Sequence, residues 1–436
     1  MCMSSPLYFA IERGIGHILK LLLECGFSPN DQCGKYETTL QAAIYRENAA
    51  IVQLLLENGA DPNVQGGEYG TALQAATYRE NAAIVQLLLG KGADPNLQDG
   101  EYGTVLQAAS YRENAAIVQL LLEKGADPNI QGGPYETALQ AAIYRENAAI
   151  VQLLLENGAD PNVQGGPYET ALQAAIYREN AAIVQLLLEN GADPDVQSGC
   201  YGTALQAVSY KENAAIVQLL LENGADPNVD GGPYGTALQA ASCTENAAIV
   251  QLLLENGADP NILGGPYGTV LQAACCKENA AIVRLLLEKG ADPNILGGPY
   301  GAALQAASHR RDISIVKLLL ELGADLNVQS GFYGTALQAA SAGGRENIVQ
   351  LLLENGANSN IQGGEYQTAL HAASYWKHQS IVQMLLENGA DPNIQGSKYG
   401  TALKAVQSKN LYASSQKVEI KAITRLLFKY GAKKMK

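Results

Sequence analysis

Aromatic residues are scarce and lopsided in this 436-residue chain: they make up 6% of it, with 22 Tyr against four Phe and a single Trp. Its core must therefore be filled by Leu, Ile, Val and Ala, which suits closely packed helices. Histidine is as rare, at four residues (His17, His309, His371 and His378), and these are scattered along the chain. No Ser or Cys stands in a nucleophile-elbow context, and no Gly-rich loop follows a strand to cradle phosphate. The recurring Glu–Asn pairs have no partner acid at a defined separation, so an enzyme would need a noncanonical site. Seven cysteines, odd in number and irregular in spacing, exclude a disulfide framework and favour an intracellular, cytoplasmic setting, with the nucleus left open. No apolar run approaches the length of a bilayer span. The opening MCMSSPLYFAIERG lacks the basic start and apolar stretch of a secretory signal. Cations are outnumbered, 29 Lys and Arg against 43 Asp and Glu, for a formal charge of −14. Nucleic acid and anionic membrane both demand a basic footprint, so the expected partner is a protein, with no nucleic acid, no membrane and no cofactor.

What the chain does have is repetition. GGPYETALQAAIYRENAAIVQLLLENGADP is spelled identically at 132–161 and 165–194, and glycines opening a GADPN-like signature recur from Gly26 to Gly389 at intervals of 33. A fixed period of that size signals stacked supersecondary units, which overrules a length-based expectation of two or three globular domains.

One unit can be read from its letters. Thr71-Ala72-Leu73-Gln74 fits the T-x-x-Q capping box of a helix start. The small apolar residues that follow make a short helix that a neighbour can approach closely. Asn81 is a preferred N-cap for a second helix, whose run Ile84 to Leu89 is more apolar than an exposed amphipathic helix needs and indicates burial between copies. Gly92 supplies a left-handed C-terminal cap and Pro95 blocks resumption. Residues 96–103 read as an extended turn. The unit is helix, short turn, helix, extended turn.

These letters resemble the ankyrin repeat. Thr71-Ala72-Leu73-Gln74-Ala75-Ala76 corresponds to the family's T-P-L-H-x-A, and Gly92-Ala93-Asp94-Pro95-Asn96 to its G-A-D-V-N; Ser5-Pro6-Leu7 and Thr368-Ala369-Leu370-His371 are nearer matches. The family's inter-helix Gly-His is mostly Glu-Asn here, with Gly14 and Gly344 keeping the glycine, and a tyrosine such as Tyr69 or Tyr102 replaces the glycine of the extended turn. The expected fold is an all-α ankyrin-repeat solenoid of about thirteen helix-turn-helix units with extended hairpin-like turns. The units divide into an N-terminal capping repeat (1–30), eleven 33-residue repeats (31–397) and a C-terminal capping repeat (398–436) with an insertion over Asn410–Glu419. Arg13, His17 and Lys20 suit a wetter outer face at the first cap; Lys429, Lys433, Lys434 and Lys436 suit a solvated end at the last.

Two tyrosine columns follow the period. One runs through the extended turns from Tyr36 to Tyr399. The other ends the first helices at Tyr45, Tyr78, Tyr111, Tyr144, Tyr177 and Tyr210, and is followed by Arg79, Arg112, Arg145 and Arg178. The turn column reads either as a packing ladder or as a row of exposed anchors. By the resemblance, the ends of the first helices face a concave groove that contacts partners, and Tyr and Arg are typical hot-spot residues. Equally, each Arg next to a Glu can be part of a solvated charge pattern.

Farther along, the helix-end column becomes Cys243, Cys276, His309, Ala342 and Tyr375. Column neighbours lie about one helix spacing apart, roughly 8–10 Å, too far for a shared zinc ion or a disulfide. Cys275 and Cys276 read as a half-buried small residue and a free thiol. His309-Arg310-Arg311 makes a basic spot, and Tyr375-Trp376-Lys377-His378 holds the lone Trp. These read either as drift in older copies or as a specific contact through Arg310, Arg311, Trp376 and His378. The resemblance extends to ankyrin arrays of fungal NACHT-type receptors, with their GGxYGxALQAA units, and implies a non-enzymatic protein-binding sensor module. A passive architectural spacer is the alternative.

Overall fold

The computed structural model describes residues 6–31, 36, 38–67, 69–396, 398–408 and 417–433. The signature start at Ser5, most of the Asn410–Glu419 insertion, and Lys434 and Lys436 lie outside the described residues. Twenty-six α-helices occur among them, short and in pairs, and β-pairing takes the form of isolated bridges such as Asp99 with Gly103. The chain forms two compact units, Met1–Gly199 and Cys200–Lys436. In each, the first helix of a copy packs on the first helix of the next and on its own second helix.

The copy beginning at Thr104 shows why these residues fold this way. The Thr104 N–H donates to Gln107 Oε1 (2.7 Å) and the Gln107 N–H to Thr104 Oγ1 (3.2 Å), a complete capping box for the helix Val105–Tyr111. Every residue of that helix before Tyr111 is buried. The second helix, Ala115–Glu123, starts where Asn114 Oδ1 accepts from the Ile117 N–H (3.1 Å), and buries Ile117, Val118 and Leu121. It ends in a Schellman turn, with the Ala126 N–H on the Leu121 carbonyl (3.0 Å) and Gly125 at φ 85°. Burying a Leu, Ile or Val contributes about 1.5–3 kcal/mol, and much of that burial comes from neighbouring copies, so no copy is stable alone.

Two polar ladders lock copies in register. Asn96 Nδ2 donates to the Gly125 carbonyl of the next copy (3.1 Å) while its Oδ1 accepts from the Asp127 N–H (2.8 Å). The same pair of bonds recurs at Asn63, Asn129, Asn261 and Asn360. Gln107, besides capping its own helix, donates through Nε2 to the Ile130, Gly132 and Glu136 carbonyls of the following turn (3.1, 3.1 and 2.8 Å). Its Oε1 sits where Gly103 would carry a Cβ, 2.3 Å away, so the turn needs glycine there. At Thr137 and Thr170 the preceding residue is Glu136 or Glu169, and the threonine N–H donates instead to the Tyr135 or Tyr168 carbonyl (2.9 Å each).

One backbone feature was not apparent from the letters. In eight copies the residue between the helix-end cap and the Asn N-cap is a glutamate held at φ 55–65°, from Glu47 to Glu278. Left-handed backbone costs a non-glycine residue about 1–2 kcal/mol. Gly14 and Gly344 occupy the same place without that cost.

Candidate functional site

Along much of the first unit the two tyrosine columns interleave into a zigzag in which a turn ring lies between two helix-end rings. Tyr135 lies 5.0 Å from Tyr111 of the copy before and 4.9 Å from Tyr144 of its own. Tyr69 lies 6.4 Å from Tyr45 and 4.6 Å from Tyr78, and Tyr168 lies 6.4 Å from Tyr144 and 4.8 Å from Tyr177. Such tilted and offset pairs contribute about 0.5–1.5 kcal/mol each beyond the area they bury. Burial and a hydrogen bond with Tyr111 hold the Tyr135 hydroxyl well above its ordinary pKa. In the second unit Tyr210 continues the pattern, 5.7 Å from Tyr201 and 4.5 Å from Tyr234, whose hydroxyl is pushed up to about 12 first by its hydrogen bond with Tyr210 and then by burial. Of the six helix-end tyrosines, Tyr177 is the one left mostly open, at 51% exposure.

The arginines stand on this zigzag. Arg79, Arg112, Arg145 and Arg178 lie over the rings of Tyr45, Tyr78, Tyr111 and Tyr144 of the preceding copy, at 5.2, 4.7, 5.2 and 5.3 Å. Each also pairs with that copy's left-handed glutamate: Arg79 with Glu47, Arg112 with Glu80 (2.7 Å), Arg145 with Glu113 (2.5 Å) and Arg178 with Glu146 (2.5 Å). The cause is local: a helix end followed by a left-handed residue turns that carboxylate toward the next copy. At this exposure a cation–π contact contributes about 0.5–1 kcal/mol and an ion pair about 0–1. Each guanidinium has five N–H donors. Arg145 spends those on Nε and Nη2 on Glu113 and keeps others toward solvent.

The zigzag is interrupted between Tyr78 and Tyr102, where a cleft of about 120 Å³ opens, walled by Tyr69, Tyr78, Tyr102, Asp99 and Glu101. Asp99 is occupied by the N–H groups of Gly66 and Gly100 (2.8 Å each), while Glu101 is exposed.

In the second unit the pattern changes with the letters. His309 stacks on Tyr333 at 4.5 Å, with Nε2 3.2 Å from its hydroxyl, and burial lowers the His309 pKa. Arg310 is half-buried and hydrogen-bonds the Cys276 thiol; Arg311 is exposed. Trp376 is half-buried, donating from Nε1 to the Tyr366 hydroxyl (3.0 Å) within a cluster of Tyr333, Tyr366, Tyr375 and Tyr399. Burial pushes the Tyr366 hydroxyl up to about 12. His378 is half-buried beside Gly344, its pKa lowered by burial. Lys377, which the sequence reading passed over, is 4% exposed at φ 67°, and its amine donates to the Tyr375 and Ala405 carbonyls (2.7 and 3.4 Å). Cys275 and Cys276 are both buried, not one of them half-buried, because the helix Val270–Cys276 is packed between the first helices of the copies before and after it and every one of its residues is buried. Among the described residues no group of three His, Cys, Asp or Glu side chains could hold a metal ion, and no helix is long and apolar enough to cross a membrane.

A family model described as "Ankyrin repeats (3 copies)" matches residues 7–99, 72–165, 105–198, 139–231, 171–264, 204–297 and 303–396. Among solved structures, the chain is similar to the ankyrin repeat domain of Bcl-3, described as a unique member of the IkappaB protein family. The two are 26% identical with a TM-score of 0.46, over 50% of this chain and 98% of that one. A comparison with curated proteins returns no match.

Proposed function

The chain belongs to the ankyrin-repeat family, whose arrays are protein-interaction modules and typically not enzymes, and from that premise we propose that it binds a protein partner through a concave face. The proposed contact residues in the first unit are Tyr45, Tyr78, Tyr111, Tyr144, Tyr177, Arg79, Arg112, Arg145 and Arg178; Tyr210, Arg310, Arg311, Trp376 and His378 are those of the second. The observation that carries this reading is the ordered row of guanidiniums on tyrosine rings, with spare donors and an aromatic cleft beside the exposed Glu101. Rigid rings and pre-positioned guanidiniums lose little entropy when a partner docks. The proposal retains the capping repeats at 1–30 and 398–436, an intracellular setting, and a sensor role of the kind the NACHT-type resemblance implies.

A specific observation also favours a passive spacer: the arginines and tyrosines satisfy one another across copies. One experiment separates the two readings. Partner capture from the native source is compared between the wild type, Tyr177→Ala, and a deletion of residues 165–197, one whole period. Loss of a saturable partner in both variants, with unchanged thermal unfolding of Tyr177→Ala, supports a register-dependent surface. Equal capture by all three proteins refutes it.

A further inference from the structure

In the first unit every cation of the helix-end row has its own acid. Arg46 pairs with Glu12, and from Arg79 to Arg178 the row's arginine partners the left-handed glutamate of the copy before, as Arg145 does with Glu113. That glutamate column ends at Glu278, and the next three positions at the same 33-residue spacing are Arg311, Gly344 and Lys377. The acid is thus withdrawn over three successive copies, while a cation is retained at Arg310, another replaces the acid at Arg311, and one is added at Arg345.

The backbone changes with the letters. The eight copies that carry the glutamate end the first helix in a right-handed cap followed by left-handed Glu, whereas Arg310 is extended, at φ −83° and ψ −168°. Arg310 hydrogen-bonds the Cys276 thiol of the copy before, and both Arg310 and Arg311 lie near enough to Arg345 for their charges to act on it. Arg345 is anchored by Nε on the His309 carbonyl (3.0 Å), and His309 is fixed by its ring contact with Tyr333. Arg310 Nε is buried and has no hydrogen-bond partner among the described residues. Among the described residues none of the three guanidiniums has a carboxylate within ion-pair distance; Glu278 acts on Arg345 only through space. Burial and then the charge of Arg311 lower the Arg345 pKa, Glu278 opposes them, and Arg310 adds a smaller push in the lowering direction. The exposed Phe332 ring, 5.0 Å from Tyr333, adds an apolar edge.

We propose that Arg310, Arg311 and Arg345 form a receptor for a phosphoryl group carried on a phosphorylated peptide segment of the protein partner, with His309 and Tyr333 as its floor. Three guanidinium forks supply more donors than one carboxylate can accept, and a phosphomonoester offers three acceptor oxygens and close to two negative charges. An extended polyanion is disfavoured because the surrounding protein carries a net charge of −14, so a compact dianion suits the site better than RNA. This inference rests on the protein-binding reading and gives it a partner chemistry.

The test uses the full chain and isothermal titration with a phosphoserine pentapeptide, its unphosphorylated twin, inorganic phosphate as competitor, and an eight-nucleotide RNA, at about 0.15 M salt. Arg311→Glu restores the acid that eight other copies carry, at an exposed position. Arg311→Gln serves if that variant melts early, and Arg284→Gln, at an exposed cation on the helix Ala280–Glu288 outside the site, is the control. Expected are saturable one-site binding of the phosphopeptide, competition by phosphate, and no binding of the twin. Arg311→Glu should weaken binding at least about tenfold, the value of one charge-assisted hydrogen bond, with Arg284→Gln unchanged. Absence of saturable phosphopeptide binding overturns the inference, as does equal affinity in both Arg311 variants or tighter Arg311-dependent binding of the RNA. Because these probes need no native partner, a failure here leaves the Tyr177 capture result standing, and loss of that result leaves this one standing.

Discussion

His371 is the clearest place to perturb the ladder between copies. It occupies the position that glutamine holds in most other copies, with Nδ1 2.7 Å from Thr368 Oγ1 and Nε2 donating to the Gly400 carbonyl of the next turn at 2.8 Å. The side chain is 1% exposed. His371→Ala removes both bonds and leaves a shielded carbonyl without a donor. At about 1 kcal/mol per lost bond, and about 1–3 for the stranded partner, the expected cost is about 3 kcal/mol. His371→Gln should cost less than about 1 kcal/mol, because Gln338 in the preceding copy makes the equivalent bonds, capping Thr335 (2.6 Å) and reaching the Gln367 carbonyl (2.9 Å). Burial lowers the His371 pKa below its ordinary 6.5, so the folded state holds it neutral. Stability is therefore complete above pH 6.5 and falls as pH drops below it, by up to about 1.4 kcal/mol per pH unit, while the unfolded chain takes the proton first. His309 and His378, also lowered by burial, act in the same direction, so His371→Gln should remove only its own share of the acid sensitivity. Urea unfolding at pH 7.5 and 5.5, followed by the fluorescence of Trp376 in the same copy, reads all three quantities. An alanine variant as stable as the glutamine variant, or a wild type with equal midpoints at both pH values, refutes the reasoning.

Two further expectations follow from the left-handed positions. Glu245 has φ 65° and no ion pair among the described residues, so Glu245→Gly should raise stability by about 1 kcal/mol in thermal or urea unfolding, whereas Glu113→Gly should be near neutral because it also loses Arg145; a destabilised Glu245→Gly would count against strain at this position. Burial brings the Lys377 pKa from 10.5 down to about 8, so Lys377→Gly should stabilise by about 2 kcal/mol at pH 7, and that gain should shrink as pH rises from 8 to 10.5, where the wild type no longer carries the buried charge; a gain independent of pH would refute the charge argument.

What could be read from the letters was whatever acts within a few residues. Thr104 with Gln107 announces a helix start because both partners of the capping box lie three residues apart. Gly125 announces a helix end because few other residues tolerate its backbone. What could not be read was the second use of the same side chains. Gln107 Nε2 finds carbonyls 23 to 29 residues on, and a backbone acceptor leaves no mark in the sequence. The period revealed two tyrosine columns but not that Tyr135 enters between Tyr111 and Tyr144, because that depends on how far one turn reaches over the last helix. Glu113 at φ 61° was hidden for another reason: nothing in glutamate's chemistry favours a left-handed backbone, and only its Arg145 partner in the next copy explains its presence there.

That left-handed position also explains where the chain is chemically distinct. It poses one backbone problem in every copy and admits few answers. Glutamate accepts the strain and turns a carboxylate toward the next arginine, which keeps the row neutral. Glycine at Gly344 removes the strain and the carboxylate together. Lysine at Lys377 keeps the strain but folds its amine inward onto two carbonyls, so its charge is withdrawn from the surface. At Arg310 and Arg311 the left-handed turn is abandoned altogether: the Arg310 backbone is extended, and Arg311 puts a guanidinium where eight other copies carry the acid. These changes occur in three consecutive copies, and each removes negative charge from the same edge. A charge gradient therefore arises from substitutions at a single strained position, without altering the 33-residue spacing or the packed faces that hold the copies together.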